Sequence, residues 1–496
     1  MSTTTKSNQN KKTAIQLTLM IILTCLSQIV ALYKSRFTAV NFGATDYMDA
    51  YNFSLEIATF IFSFVTGGVT TVIIPAYVKK ISSKAVNTFI TLTYGCILLL
   101  SVGLIIFRTP LLSSLTARGT DFIAIASDFL IISFVIQGIL SLLAVTTAYY
   151  QSEDRYNIPK IIVLIVNMIV LTVLLLGVID NIYLYFSLLI AGSVLNLILD
   201  LIIAIKIGFR YKLCFDFKNP EFKSMMFVFW PIVLSSGVYR LHTMIGTTIA
   251  TNLAEGQATI LTYASQIITM VNTVIVGNLT VYVYPKIIAN LKSKNISKYF
   301  WDYCILFHAI LTIIIAGFIN VGFEGLSLLF LGGKFTLENV NVLYMCACVY
   351  ISGQQFNVIR DLIYRYFYAN SNTKETFKNS VTVSIINIIL SLSLVSIFGV
   401  YGIVLGTVLS NVISLALIYI RFKKNFGINI KISYIFIEIT KNILAMVGTV
   451  VFIHWLKVFF AINNNILSIL IYGLGTIIVY LVLILLLQTK MRYIKL

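Results

Sequence analysis

Five cations interrupt stretches of this sequence that are otherwise apolar: Lys34, Arg36, Arg240, Arg360 and Arg365. Asp49, Glu56, Asp128, Asp200, Asp302 and Asp361 do the same with the opposite charge. An ionisable side chain in apolar surroundings is costly and faces a cavity or a partner. Cations gathered in a cavity imply an anionic group such as phosphate. Guanidinium offers phosphate a fork of donors, and lysine offers a point charge. Lys34 and Arg240 lead this set, with Arg36 and Arg360 behind them. Lys34 stands above the polar run Thr24-Cys25-Leu26-Ser27-Gln28. Gln28, Gln266 and Asn52 are read as polar lining for sugars. Arg365 is read as snorkelling to an interface, and Arg36 reads equally well that way. Arg360-Asp361 is read either as a structural ion pair or as a cavity charge beside its counter-ion. Glu56 is a proton or cation carrier, or a partner for Lys34 or Arg36. Asp49 is expected to reach an interface.

Other chemistry is missing from the sequence. There is no G-x-x-x-x-G-K-[ST] for a nucleotide, no H-E-x-x-H and no G-x-S-x-G. His242, His308 and His454 are far apart, and His242 is read either as hydrogen-bonded packing or as a member of the cation cluster with Arg240. Cys346-x-Cys348 lacks the partners of a zinc site, and the six cysteines are read as packing residues. The chain is therefore expected to be no enzyme and to hold no cofactor or metal. Any transport would draw on Na+, H+, the membrane potential or a substrate gradient.

The elements that carry these residues follow from composition. Of 496 residues, 59% are hydrophobic and only 11% charged, and mean hydropathy is +0.94. A soluble domain carries roughly 25% charged residues. The solvent must then be lipid, which excludes a cytosolic enzyme, a secreted disulfide scaffold and a nucleic-acid-binding module. A membrane helix needs about 20 apolar residues. Fourteen runs qualify: 14–39, 48–77, 85–107, 122–150, 159–179, 182–205, 225–248, 257–285, 299–320, 338–368, 379–398, 400–420, 437–460 and 466–488. The first is too long for a signal-peptide core and lacks an A-x-A-like site, so it is read as retained. Alternating the loops across these spans puts 27 Lys and Arg on the side of both termini, Lys160 among them, and 4 on the other. That imbalance makes the terminal side cytoplasmic and accounts for most of the net charge of +18.

The sequence also repeats weakly. Gly67-Gly68 through Pro75 is echoed by Gly277-Asn278 through Pro285, and Gly192-Ser193-Val194-Leu195 by Gly406-Thr407-Val408-Leu409. Six-helix units return to their starting side, so the copies run parallel about an axis along the membrane normal. The expected organisation is a tail at 1–13, an N-lobe at 14–205, a linker at 206–224 and a C-lobe at 225–420. A second linker follows at 421–436, then two added helices at 437–488 and a C-terminus at 489–496. The expected fold class is thus an all-α polytopic membrane protein of about 14 helices, two parallel six-helix lobes plus two C-terminal helices. Two facing lobes enclose a cavity and favour a transporter. A cation-coupled multidrug exporter, with Glu56 as its carboxylate, and a scaffold for polysaccharide synthesis are the rival readings.

Several stretches point to a family: Ser27-Gln28, Lys34-Ser35, Phe42-Gly43-Ala44-Thr45 and Asp49-Ala50-Tyr51, then Gly256-Gln257-Ala258 and Tyr263-Ala264-Ser265-Gln266. Gly333-Lys334-Phe335-Thr336, Arg365-Tyr366-Phe367-Tyr368-Ala369, Asn372-Thr373-Lys374 and Gly399-Val400-Tyr401-Gly402-Ile403 continue the series in order. Over residues 14–420 the sequence resembles the MurJ (MviN)-type lipid II flippases of the multidrug/oligosaccharidyl-lipid/polysaccharide exporter superfamily. The resemblance implies a cationic cavity between two lobes. It also implies a groove formed by the last two helices for a polyprenyl tail. The implied activity is transfer of an undecaprenyl-pyrophosphate-linked glycan, lipid II or a polysaccharide repeat unit, across the bacterial cytoplasmic membrane. Envelope-glycan synthesis or polymerisation machinery and membrane lipids are the implied partners, with no nucleic acid. The family typically has Arg at the place of Gln28, Arg-Asp at Lys34-Ser35 and Asp-Arg at Ser265-Gln266, so the charge set here differs. Some relatives carry a cation site on helices 7, 11 and 12; Asn387 and Thr407 are the oxygens this sequence offers there beside Glu56, and Ser391 stands where a carboxylate would help.

Overall fold

The computed structural model describes residues 3–276, 287, 296–370, 372–427 and 432–489. The described elements are helices. The first set is α1 (Thr3–Phe42), α2 (Asp46–Val78), α3 (Ser83–Ile106), the short α4 (Arg108–Leu115), α5 (Thr120–Ser152), α6 (Ile158–Leu175) and α7 (Ile182–Ile207). Then come α8 (Pro220–Thr251), α9 (Gln257–Val271) with a π-helical turn at Asn272–Val276, and α10 (Ile296–Phe330). The last are α11 (Leu337–Ala369), α12 (Thr373–Phe398), α13 (Val400–Phe426), α14 (Ile432–Phe459) and α15 (Asn465–Leu486). Among the described residues, twelve of these helices are long and apolar enough to cross a membrane. The two further expected spans fall on α8 and on α9, and the second runs past Val276 into residues outside the description. The polar tail expected at 1–13 is helical from Thr3 onward, and α4 was not expected.

Helix is what these sequences must form, because hydrocarbon offers no partner to a peptide group and a helix satisfies its own. The ends are set by side chains that can cap. Ser82, Asn181, Thr336 and Asn464 each accept from a backbone N–H in the first turn of the helix they precede. Large apolar side chains such as Leu99, Phe227, Ile397 and Leu486 point outward and are exposed. Small polar ones such as Ser54, Thr88, Thr312 and Ser414 are buried.

Contacts divide the chain into two compact units, residues 1–38 with 45–259, and residues 39–44 with 260–496. In the first unit α2 lies between α5 and α8. The Ser54 hydroxyl donates to the Ala126 carbonyl at 2.7 Å, and Phe62 meets Phe134 edge-on. Against α8 the fit is reciprocal. A Cβ on Gly68 of α2 would sit 2.4 Å from the Phe229 ring, and one on Gly237 of α8 would sit 2.3 Å from the Phe64 ring. The repeat and the packing therefore divide the chain differently at α8. Its sequence opens the second set of six, and its side chains lie in the first unit.

The connection after α7 is tied down along α3. The backbone N–H groups of Cys214 and Asp216 donate to the Thr91 and Thr88 hydroxyls, and Tyr211 bonds Thr91 at 2.9 Å. At the first turn of α8 the Glu221 carboxylate accepts from the Ser82 N–H at 3.0 Å. Those bonds from Ser82 hold its pKa below the ordinary carboxylate range.

In the second unit α10 packs against α11, α14 and α15. The hydroxyl of Tyr480 donates to the Ala309 carbonyl at 3.0 Å, Asn320 donates to Thr476 at 3.0 Å, and Lys457 pairs with Glu324. These polar rungs fasten the two last helices to α10. An apolar groove of about 430 Å³ runs between α10 and α15, lined by Ile313, Gly317, Leu470, Gly473 and Ile477. Its lining comes from α10 and α15.

The echoed glycines have one role in both units. Gly192 on α7 admits Val170 of α6, and Gly406 on α13 admits the backbone of Ser391 of α12; a Cβ on either would come within 2.8 Å. The echo of Gly67 and Pro75 at Gly277 and Pro285 lies outside the described residues.

Two loops meet where the sequence carries Gly43 and Gly333. The Lys334 N–H donates to the Val40 carbonyl at 2.9 Å. A Cβ on Gly43 would lie 2.7 Å from that of Lys334, and one on Gly333, at φ +52°, would lie 2.0 Å from the Val40 oxygen. Gly333→Ala is expected to lower the thermal unfolding midpoint of the detergent-solubilised protein, at a cost of at least about 1 kcal/mol. Gly95→Ala, which faces open space, is the control and should leave the midpoint unchanged or raise it.

Candidate functional site

Lys34 lies in α1, eight residues before that helix ends at Phe42. It is half-buried, and its ammonium donates to the side-chain oxygen of Asn167 on α6 at 2.7 Å. The partner is a neutral amide, so the positive charge of Lys34 is solvated but not cancelled. Asn167 carried no sequence signal beyond being an amide in an apolar run. Arg36 and Gln28 are half-buried on the same helix, and Arg36 is itself engaged.

Arg240 is exposed on α8, and Glu56 is half-buried on α2.

The acid that the sequence placed at an interface has a different setting. Asp49 is fully buried, at 0% exposure. It accepts from the Gly256 N–H at 2.7 Å, the Thr259 N–H at 2.8 Å and the Thr259 hydroxyl at 2.7 Å. It is the cap of α9, supplied by α2. The reason is legible at Leu253-Ala254-Glu255-Gly256-Gln257, which starts a helix with glycine at the capping position and no capping side chain of its own. A carboxylate there also meets the positive end of the helix dipole. Arg118 stands behind it, 3.7 Å from Asp49 and 2.6 Å from Asp46, and donates to the Thr251 carbonyl at 2.9 Å. Asn52, expected to line a sugar site, is 4% exposed and donates to Thr259 at 3.2 Å, so its contacts belong to this junction.

The remaining candidates lie in the second unit. Arg360 donates to Asp361 at 2.9 Å and to Asn411 of α13 at 3.2 Å, and stacks over Tyr364. The ion-pair alternative for Arg360 is the one its contacts fit. Gln266 is half-buried on α9 and engaged. Asn387 is buried and donates to Ser410 at 3.0 Å, and Ser410 donates to the Thr407 carbonyl at 2.8 Å. The Thr407 hydroxyl donates to the Ile403 carbonyl of its own helix at 3.1 Å. The two expected ion-coupling residues are thus joined through a serine between α12 and α13. Among the described residues, no three His, Cys, Asp or Glu side chains gather as metal ligands.

These helices and their apolar faces make a polytopic membrane protein with the fold of the MOP-superfamily transporters. A solved inward-facing multidrug resistance MATE family transporter of that superfamily superposes with a TM-score of 0.62 at 12% identity, covering 82% of this chain and 98% of that one. The structure titled lipid II flippase MurJ, inward closed conformation, superposes with a TM-score of 0.78 at 20% identity, over 95% of this chain and 98% of that one. Residues 38–475 match the family described as Lipid II flippase MurJ, and the chain belongs to that family. A probable lipid II flippase MurJ of Rickettsia prowazekii is 25% identical over 431 residues, 83% of this chain and 84% of its own length. One of Thermotoga maritima is 24% identical over 424 residues, 81% of this chain and 84% of its own length.

Removing the acceptor that caps α9 leaves three donors unmet in a buried site. Asp49→Ala is expected to destabilise the solubilised protein by about 3 kcal/mol. Arg118→Gln should cost less, since that side chain is 18% exposed. A thermal unfolding series of the two variants checks the order, and the reverse order would remove Asp49 as the anchor.

Proposed function

We propose that this chain carries lipid II, or a closely similar undecaprenyl-pyrophosphate-linked glycan, from the cytoplasmic to the outer leaflet of the bacterial cytoplasmic membrane by alternating access. The observation that carries this reading is the setting of Lys34: a cation within a membrane-spanning helix, held by an amide and not by a carboxylate. A net positive charge in that place suits a diphosphate. Membership of the lipid II flippase family supports the cargo. The apolar groove between α10 and α15 suits a polyprenyl tail. The imbalance of 27 to 4 in loop cations supports an orientation with both termini in the cytoplasm.

In this reading Lys34 and Arg240 hold the pyrophosphate, with Arg36 beside them. Gln28 and Gln266 face the glycan. Glu56 is the proton or cation carrier if transport is ion-coupled, and Asn387 and Thr407 belong to the same proposal. The membrane potential is the alternative source of drive. Envelope-glycan synthesis machinery would supply and consume the lipid. The likeness to MATE transporters, at 12% identity, is one of fold and carries no statement about drugs.

Complementation tests this. Bacteria whose own lipid II flippase is shut off should grow when they express the chain. The Lys34→Gln, Arg240→Gln double variant, present in the membrane at normal level, should fail to support growth. Growth with the double variant would remove these two residues from the site. Failure of the unaltered chain would point to a different polyprenyl-linked glycan.

A further inference from the structure

Lys160 counts in the sequence as one of the loop cations that set orientation. Its setting in the structure is different. It is the third residue of α6, half-buried, and its ammonium donates to the Thr24 hydroxyl of α1 at 3.0 Å. Thr24 lies ten residues inside the apolar run of α1 that starts at residue 14, about 15 Å along the helix. The side chain therefore reaches inward along α1, where a lysine at a helix end ordinarily snorkels to water.

This bond and the one from Lys34 to Asn167 form two rungs between the same two helices. Thr24 and Lys34 are ten residues apart, about 15 Å along α1, and Lys160 and Asn167 are seven apart, about 10 Å along α6. The rungs ascend in the same order on both helices, so α1 and α6 run parallel, and the lysine side chains bridge them. On α1 the bridged face is Thr24, Ser27, Ala31 and Lys34 by helical spacing, with Gln28 at its border. Each helix gives one lysine and one neutral oxygen. Among the described residues neither lysine has an ion pair with a carboxylate. Each ammonium uses one of its three donors on the rung, which leaves two for a ligand. A brace between helices needs no charge, and an uncompensated charge in a span is costly. Two such charges on one seam suit an anion that visits both.

We propose that Lys160 is a second anion-holding residue of this seam, which receives the diphosphate of the lipid-linked cargo at the end where α6 begins and passes it to Lys34. The proposal rests on the flippase reading above, in which that end is cytoplasmic. It adds an entry station and makes the α1–α6 face the track of the head group.

The test is binding of undecaprenyl diphosphate to the purified full-length protein, with lipid II movement in liposomes measured alongside. Lys160→Gln and Lys34→Gln should each raise the dissociation constant about tenfold, the loss of one charge-assisted contact. Lys160→Arg, which keeps the charge, and Thr24→Val, which removes only the rung, should bind nearly as the unaltered protein does. Unchanged binding by Lys160→Gln overturns the proposal and leaves the flippase reading standing. Equal losses in Thr24→Val and Lys160→Gln make the rung a structural brace and also overturn it. No diphosphate binding by the unaltered protein overturns both. Binding with the expected pattern, but no lipid II moved, keeps Lys160 as a station and removes lipid II as cargo.

Discussion

Hydrocarbon accepts no hydrogen bonds, and the rest of this structure is organised around that fact. Each apolar run folds as a helix because only a helix satisfies its own peptide groups. The large apolar side chains then have no reason to hide, and Leu99, Phe227 and Leu486 face outward. Others, Phe53, Phe89, Phe300 and Phe422 among them, are packed inside, and small and polar residues add directed contacts between the helices. Ser54 bonds the backbone of α5, Asn320 bonds Thr476, and paired glycines let aromatic rings and backbones close in. Apolar surface alone distinguishes no helix from another in lipid, so these contacts decide which helix lies beside which.

The same constraint sorts the charges by what they bond. Asp49, with three donors and Arg118 behind it, is fully compensated, and its work is to start α9 in the right place. Arg360 has Asp361 and Asn411. Lys457 has Glu324. Lys34 and Lys160 differ from all of these, because amide and hydroxyl oxygens solvate a charge without cancelling it. A membrane protein that keeps cations in this condition tolerates a standing cost, and a mobile anion is the partner that would relieve it. Identity of partner, not depth in the span, is what distinguishes these two lysines from the ion-paired charges.

The motifs that tied the sequence to its family acquire a physical meaning. Phe42-Gly43 and Gly333-Lys334 are far apart in sequence, yet their backbones touch, and the Cβ atoms that glycine lacks would collide there. Asp49-Ala50-Tyr51 and Gly256-Gln257-Ala258 are the two sides of one helix cap. Gly192 and Gly406 occupy matching places in the two repeats, and each admits the preceding helix of its own unit. Such residues mark contacts that hold the scaffold, which is why they were visible while the charge set around Lys34 differed from the family pattern.

The sequence by itself determined that the chain is a bundle of membrane helices, roughly where each begins and ends, and that Lys34 is a charge within a span. Those properties are local, since they depend on the length and polarity of one run and on the caps beside it. Tertiary structure alone decided the partners. Asn52 donates to Thr259 at the start of α9, and α8 packs into the first unit although its sequence opens the second repeat. Lys160 moved from a topology charge to a rung beside Lys34 for the same reason. A lysine's helix address fixes where its stem starts. Which oxygen its ammonium meets depends on a neighbouring helix more than a hundred residues away, and no local pattern encodes that.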